Sequence, residues 1–238
     1  MDADNTKPVL RRDYSALADT YDEVRFRGRN GRFLYETDAS IVRELVELTG
    51  ASSLLDVPVG TGRVLDYLKD MPIRIVGTDL TPGMLDHARA RLTSQQTLLR
   101  ADASRLPVQS GAMDCITCLR FFHLFAPCDR PPFVREFARV LKPDGYLLCS
   151  FTNGWYGGGI NWVRRALGRR SVEFVWPGEV NRLFPHWEVC AVRGNFLPLQ
   201  GFFASTSSWA EKTMRRMTSK FPLNHLCWER FYLLRKPR

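Results

Sequence analysis

The residues best equipped for chemistry stand in the run Leu54-Leu55-Asp56-Val57-Pro58-Val59-Gly60-Thr61-Gly62. An apolar strand ends in a carboxylate, a glycine turn follows, and an amphipathic helix starts near Arg63. Gly60 and Gly62 let the backbone approach a ligand without a Cβ in the way, and the helix start turns unpaired N–H groups toward whatever lies there. A carboxylate at Asp56 repels a pyrophosphate but holds an ammonium group. The segment 73–79 reads as a second strand that ends in Asp79, seventeen residues after Gly62, the usual place to accept hydrogen bonds from two ribose hydroxyls. A third strand, 97–101, ends at Asp102-Ala103, where a carboxylate accepts from an adenine amino group and a backbone N–H donates to the ring. One acid for an ammonium, one for a ribose and one for an adenine describe a nucleoside that carries an amino acid.

A fourth strand, 113–119, ends at Arg120-Phe121-Phe122-His123. A fifth, 146–151, follows a helix over 133–141 and the turn Lys142-Pro143-Asp144-Gly145. With these pieces in this order, the sequence resembles the class I S-adenosylmethionine (SAM) dependent methyltransferases, over residues 10–150 above all, in their small-molecule branch. The resemblance implies an α/β fold with a Rossmann-like, seven-stranded, mostly parallel sheet and helices on both faces. It implies SAM as cofactor, held by Asp56, Pro58, Gly60, Thr61 and Gly62 around the turn, by Asp79, Leu80 and Met84 after the second strand, and by Asp102 and Ala103 after the third. Leu119 and Arg120 complete the site, and Tyr14 and Tyr21, on an N-terminal helix over 11–24, fold over the cofactor. Seven residues apart is two helical turns, so both rings share a face. One departure is Pro58, at the place of the family's usual first glycine, which fixes φ and removes a donor.

Two other readings of the same residues exist. A nicotinamide or flavin site needs a third glycine where this chain has Leu65, and gains nothing from Asp56 or Asp102. Alternatively, the three aspartates merely end strands and cap helices. Arg63 at a helix start opposes the helix dipole unless an anion is near. The cofactor carboxylate and Asp66 are both candidates.

At 238 residues and 45% hydrophobic, the chain suffices for one domain with a full core. No apolar run approaches the roughly 18 residues of a membrane span, and no signal peptide opens the sequence. A cytoplasmic protein without a membrane partner is expected, and reduced thiols for its six cysteines. Cys115 and Cys118 have CxxC spacing but fall on one strand, where positions three apart face opposite sides, so core packing is favoured over metal binding and no metal is expected. The formal charge of +9 invites a nucleic-acid reading. The arginines are spread, however, with modest clusters at residues 25–32, 164–170 and 215–216. The stretch after strand four also lacks the Asn/Asp-Pro-Pro-aromatic run of nucleobase amine methyltransferases. No specific nucleic-acid partner is expected, and no motif points to a particular oligomer.

Around this centre, residues 1–9 read as disordered and 32–49 as a helix. An aromatic-rich cap spans 152–176. A short helix near 178–184, a strand over 187–192, a helix near 208–220 and a last strand over 226–234 follow, the two strands resembling the antiparallel pair that closes the sheet in this family.

Methyl transfer from a sulfonium is an in-line displacement, so alignment and exclusion of water carry much of it. Where the nucleophile must lose a proton, His123 is the candidate base, because it follows strand four and imidazole titrates near neutrality. The rival role is a histidine bonded to backbone. Trp155, Tyr156, Trp162 and Trp176 form a candidate aromatic wall for a small-molecule substrate. The expected function is methylation of an O or N atom of a small molecule, anionic or carrier-linked, in biosynthesis. The alternatives are an enzyme that attacks the aminocarboxypropyl arm of SAM and releases methylthioadenosine, and an RNA methyltransferase.

Overall fold

A computed structural model describes residue 14 and residues 18–154, 174–195 and 226–238. Seven strands form one sheet: β1 (Ser53–Asp56), β2 (Arg74–Asp79), β3 (Gln96–Arg100), β4 (Met113–Cys118), β5 (Leu141–Thr152), β6 (Glu188–Asn195) and β7 (Glu229–Arg235), in the order β3-β2-β1-β4-β5-β7-β6. The first five are parallel, and β7 lies antiparallel between β5 and β6. The strand order reverses between β1 and β4, so the connections that follow their paired C-terminal ends leave toward opposite faces and open a crevice. Asp56 ends β1 at that point.

The described helices are α1 (Tyr21–Phe26), α2 (Gly28–Glu47), α3 (Arg63–Tyr67), α4 (Pro82–Arg89), α5 (Pro131–Val140) and α6 (Pro177–Leu183). They cover both faces. Val42 and Leu45 of α2, Leu65 of α3 and Ala88 of α4 pack with Leu54, Ile75 and Phe231 on one side. Phe133 and Phe137 of α5 and Val180 of α6 pack with Phe122, Phe151 and Tyr232 on the other. β1 is buried along its whole length, as a strand between two helical layers must be. Cys115 belongs to the first core and Cys118 to the second, which is the alternation the CxxC spacing implied.

The structure departs from the sequence reading in two places that bear on the site. The expected helix over 11–24 is not one element: Ala18–Thr20 form a 3-10 turn, α1 begins at Tyr21, and extended Arg27 separates it from α2. The expected turn at residues 142–145 is instead an irregularity inside β5. The register shifts between Met113 and Cys115, and Asp144 takes a positive φ of 60°. Of the cap, Trp155, Tyr156 and Trp162 lie outside the described residues, as does the helix expected near 208–220. Among the described residues no helix is long and apolar enough to cross a membrane.

A buried ion cluster ties α2, the end of β4 and β7 together. Arg120 Nη2 bonds Asp38 on α2 and lies 2.7 Å from Glu229 Oε2 on β7. Asn195 at the end of β6 donates its amide to Asp38 as well. Asp38 is fully buried and Arg120 is 9% exposed. Removing one member of such a set strands the others in a low dielectric. Asp38→Ala should therefore destabilise the fold by about 3 to 5 kcal/mol in urea unfolding; a loss below about 1 kcal/mol would show that Glu229 alone suffices for Arg120.

Candidate active site

The crevice at the strand ends is a cavity whose wall gathers the expected cofactor residues. Asp56, Pro58, Gly60 and Thr61 line it at the glycine turn, and Asp79, Leu80 and Met84 beyond β2. Asp102 and Ala103 follow β3, Leu119 and Arg120 follow β4, and Tyr14 and Tyr21 close it from the N-terminal side. The two tyrosine rings stand 6.1 Å apart although no continuous helix joins them. Pro58 follows a cis peptide bond, and its ring takes part in the wall.

Gly62 is the exception on this turn. It has φ 84°, and a Cβ there would come within 3.0 Å of Ala88 Cα, so it allows α4 to approach the turn closely and is not itself part of the lining. At Gly60, with φ 54°, a Cβ would meet nothing. Its requirement is conformational.

Asp56 is 1% exposed. Its Oδ1 accepts a 2.7 Å bond from Thr117 Oγ1, and its Oδ2 is buried with no partner. Burial raises its pKa to about 7, opposed by the Thr117 bond and Arg63 and helped by the charge of Asp79. Asp79 is raised too, chiefly by burial. Its oxygens accept from the N–H of Gly60 at 3.0 Å and of Thr81 at 2.8 Å. The Thr81 hydroxyl and the Leu80 N–H bond it as well, so the loop after β2 fixes this carboxylate in the cavity wall. Asp102 uses Oδ1 to accept from both the N–H and the hydroxyl of Ser104, each at 2.8 Å, which fixes its rotamer at the cavity edge.

Arg63 lies in the same wall, a placement that sequence reasoning left unassigned. The rival anion Asp66 is engaged by Tyr35 and Lys69. Arg63 instead stacks 4.7 Å from the Phe26 ring and 5.8 Å from Tyr21, with Asp22 at 3.9 Å, and its Nη1 is buried without a partner. Asp22 also accepts from Thr61 Oγ1 at 3.0 Å and from Arg91 at 2.6 Å. That carboxylate fastens α1 to the glycine turn.

The side beyond β4 is aromatic. Phe121, Leu124, Phe125 and Phe133 line the cavity, with Phe121 4.8 Å from Phe133 and 4.9 Å from Phe125. Sequence reasoning missed this wall, whose signal was the phenylalanine density of residues 121–133. Arg120 sits at its edge with φ 54°, its N–H held by Ser150 Oγ at 2.8 Å. Its guanidinium is turned away into the Asp38 and Glu229 cluster, so the residue contributes to the wall while its charge serves the scaffold. His123 does not line the cavity. It sits half-buried in the 3-10 turn Phe122–Leu124, whose tight winding turns Leu124 rather than His123 inward. Trp176 is 46% exposed and lies over Gly154 at the start of α6, outside the lining.

The parts of SAM match this wall group for group: an unpaired buried carboxylate oxygen for its ammonium, an unpaired buried guanidinium nitrogen for its carboxylate, and acids at both nucleoside positions. Because the folded chain holds the Asp56 proton up to about pH 7 while an unfolded aspartate releases it near 4, the raised pKa contributes stability that is full below about pH 4 and lost as pH rises through about 7. Asp56→Asn keeps an acceptor for Thr117 and carries no charge. It should melt higher than the parent at pH 8 and lose most affinity for the demethylated cofactor. In the parent, calorimetry should show that affinity weakening as pH falls below about 7; a pH-independent affinity would show that Asp56 does not meet the ammonium.

A family profile described as a methyltransferase domain matches residues 55–149. The ubiquinone/menaquinone biosynthesis C-methyltransferase UbiE of Syntrophotalea carbinolica is 38% identical over 166 residues, 66% of this chain and 69% of that protein. The demethylmenaquinone methyltransferase of Deinococcus radiodurans is 39% identical over 100 residues, and this chain spans only 41% of its length. Among solved structures, a SAM-dependent methyltransferase of Thermotoga maritima, described as a possible histamine N-methyltransferase, superposes with a TM-score of 0.68 at 18% identity, covering 94% of this chain and 97% of that one, a likeness of fold. With the sheet order, the three strand-end acids and these relatives together, the chain belongs to the class I SAM-dependent methyltransferase family.

Proposed function

We propose that this protein transfers the methyl group of SAM to a small-molecule acceptor. The observation that carries this reading is the pairing, in one cavity wall, of the unpartnered buried oxygen of Asp56 with the unpartnered buried nitrogen of Arg63, the complement of a zwitterionic amino acid end. SAM supplies an activated methyl on a sulfonium. Asp56 and Arg63 fix the amino acid arm, Asp79 takes the ribose hydroxyls and Asp102 the adenine amino group. Tyr14 and Tyr21 cover the site, and Asp22 keeps α1 closed on the turn. Phe121, Leu124, Phe125 and Phe133 exclude water beyond β4, where catalysis rests on alignment rather than on charge.

An O or N acceptor is the reading of the sequence. A carbon acceptor is favoured by the UbiE relative, a C-methyltransferase by name. In either case the geometry supports alignment better than proton abstraction by His123, which is outside the lining. His123→Ala should accordingly retain turnover within a few fold; a loss of about 10² to 10⁴, the range of a positioned base, would restore it to that role.

Two experiments test the whole. Asp79→Ala should lose about 1.5 to 3 kcal/mol of cofactor affinity for each ribose bond removed in calorimetry with SAM and its demethylated product, and unchanged affinity would sink the cofactor assignment. Incubation with SAM alone should leave it intact, demethylated product appearing only with an added acceptor. Methylthioadenosine forming at an enzymatic rate without acceptor would establish the aminocarboxypropyl chemistry instead.

A further inference from the structure

One tyrosine of the cavity wall has a hydroxyl that the chain does not use. Tyr67, the last residue of α3, is 4% exposed and lines the crevice, and among the described residues its hydroxyl has no hydrogen-bond partner. Tyr35 shows the ordinary outcome. Its ring stands 4.9 Å from that of Tyr67, it lies outside the wall, and its hydroxyl is given to Asp66. A buried tyrosine normally finds such a partner, and a desolvated hydroxyl left unmet is costly. The charge of Asp38 reaches Tyr67, but the oxygens of Asp38 are taken by Arg120 and Asn195.

The helix decides what this hydroxyl adjoins. Arg63 and Tyr67 are four residues apart, so one turn of α3 puts them on one face, and a helical side chain leans toward the N-terminus of its helix. The Tyr67 ring is thereby carried back toward the Arg63 guanidinium. The electrostatics agree: of the cations that act on Tyr67, Arg63 comes first, ahead of Arg120. Arg63 lines the same wall, and its buried Nη1 is likewise without a partner. Burial pushes the phenol well above the ordinary tyrosine range, with Asp38 adding to the rise and Arg63 and Arg120 opposing it, so at neutral pH the hydroxyl keeps its proton and donates. Two unmet donors, one charged and one neutral, thus stand one turn apart in the cavity wall. A carboxylate has two oxygens and accepts from both. Arg120 does not compete for it, because its own charge is spent on Asp38 and Glu229.

We infer that Tyr67 donates its hydroxyl to the carboxylate that Arg63 pairs with, on the cofactor's amino acid arm, and so makes this chain select cofactors that keep that carboxylate. The inference rests on the methyltransferase reading above and adds a residue to its cofactor site. Asp56 by itself suits any ligand with an ammonium group in the right place. Two buried donors do more, since a ligand without the carboxylate leaves both unmet and is penalised for it.

The test is calorimetry on the full chain and on Tyr67→Phe with two ligands, SAM and decarboxylated SAM, which differ only in that carboxylate. The parent should bind SAM more tightly than its decarboxylated form. Tyr67→Phe should weaken SAM about 10- to 150-fold, the range for one hydrogen bond to a charged group, and leave the affinity for decarboxylated SAM as it was. Without ligand the variant should melt no lower than the parent, because the hydroxyl removed has no partner in the chain. Unchanged affinity for SAM would overturn the inference, and so would an equal loss for both ligands, which is the mark of a merely structural role. A lower melting temperature for the free variant overturns it too. If Tyr67→Phe does not fold, Tyr67→Met, which also lacks the hydroxyl, is expected to show the same split between the two ligands, and an equal response to both counts against the inference in the same way. A parent that binds neither ligand would defeat the methyltransferase reading and the inference with it, whereas a parent that binds SAM no better than Tyr67→Phe does would defeat the inference alone.

Discussion

Asp56 is a carboxylate that the fold buries and does not satisfy, and most of the site follows from that. β1 is an inner strand at the point where the order of the sheet reverses, so its last residue emerges between two layers of helices, away from water. One oxygen of Asp56 is met by Thr117 and the other by nothing. Asp79, next along the same wall, is also buried, and each charge makes the other harder to ionise. A wall of this kind is electrostatically incomplete. A ligand with an ammonium group discharges the strain of ionising Asp56, and a dinucleotide phosphate at the same place aggravates it, which is how one strand-end acid separates two classes of cofactor on a shared architecture.

That part of the site was legible because its determinants are local. Each acid ends an apolar run and precedes a turn, and a strand fixes the direction of its last side chain without help from distant residues. Asp56, Asp79 and Asp102 therefore reach the cavity as the sequence suggests. Arg120 does not behave so simply. Its backbone position was readable, but its guanidinium answers to Asp38 and Glu229, far away in the chain on either side, and no local pattern announces a three-element ion cluster. His123 shows the same limit at shorter range: the 3-10 winding of residues 122–124 decides which side chain turns inward, and a shift of one residue gives the wall to Leu124.

Gly62 and the N-terminal segment illustrate a further distinction, between a motif and its physical cause. The glycine turn was read as a place where a ligand needs room. The structure divides the work. Gly60 faces the cavity and supplies a left-handed backbone, while Gly62 makes room for Ala88 of α4. The two N-terminal tyrosines were placed by helical spacing, and they reach the cavity although the helix is interrupted at residues 18–20. Beside Tyr21, Asp22 accepts bonds from Thr61 and Arg91 that tie α1 to the glycine turn, which a periodicity argument cannot contain.

The two ends of the crevice differ in how they are built. The side with the three strand-end acids is made by β1 to β3 and their turns. The aromatic side is made by Phe121, Leu124 and Phe125 beyond β4 and by Phe133 of α5. Arg120 belongs to both. Its backbone stands in the cofactor wall in a positive-φ conformation that an arginine adopts only when its surroundings require it, and its side chain is anchored to β7 next to Arg230. A shift of β7 by even a fraction of an ångström must move Glu229, and with it the guanidinium that keeps the end of β4 in place. The end of β4, where the three acids meet the aromatic wall, is thus braced from α2 and β7 by one buried ion cluster.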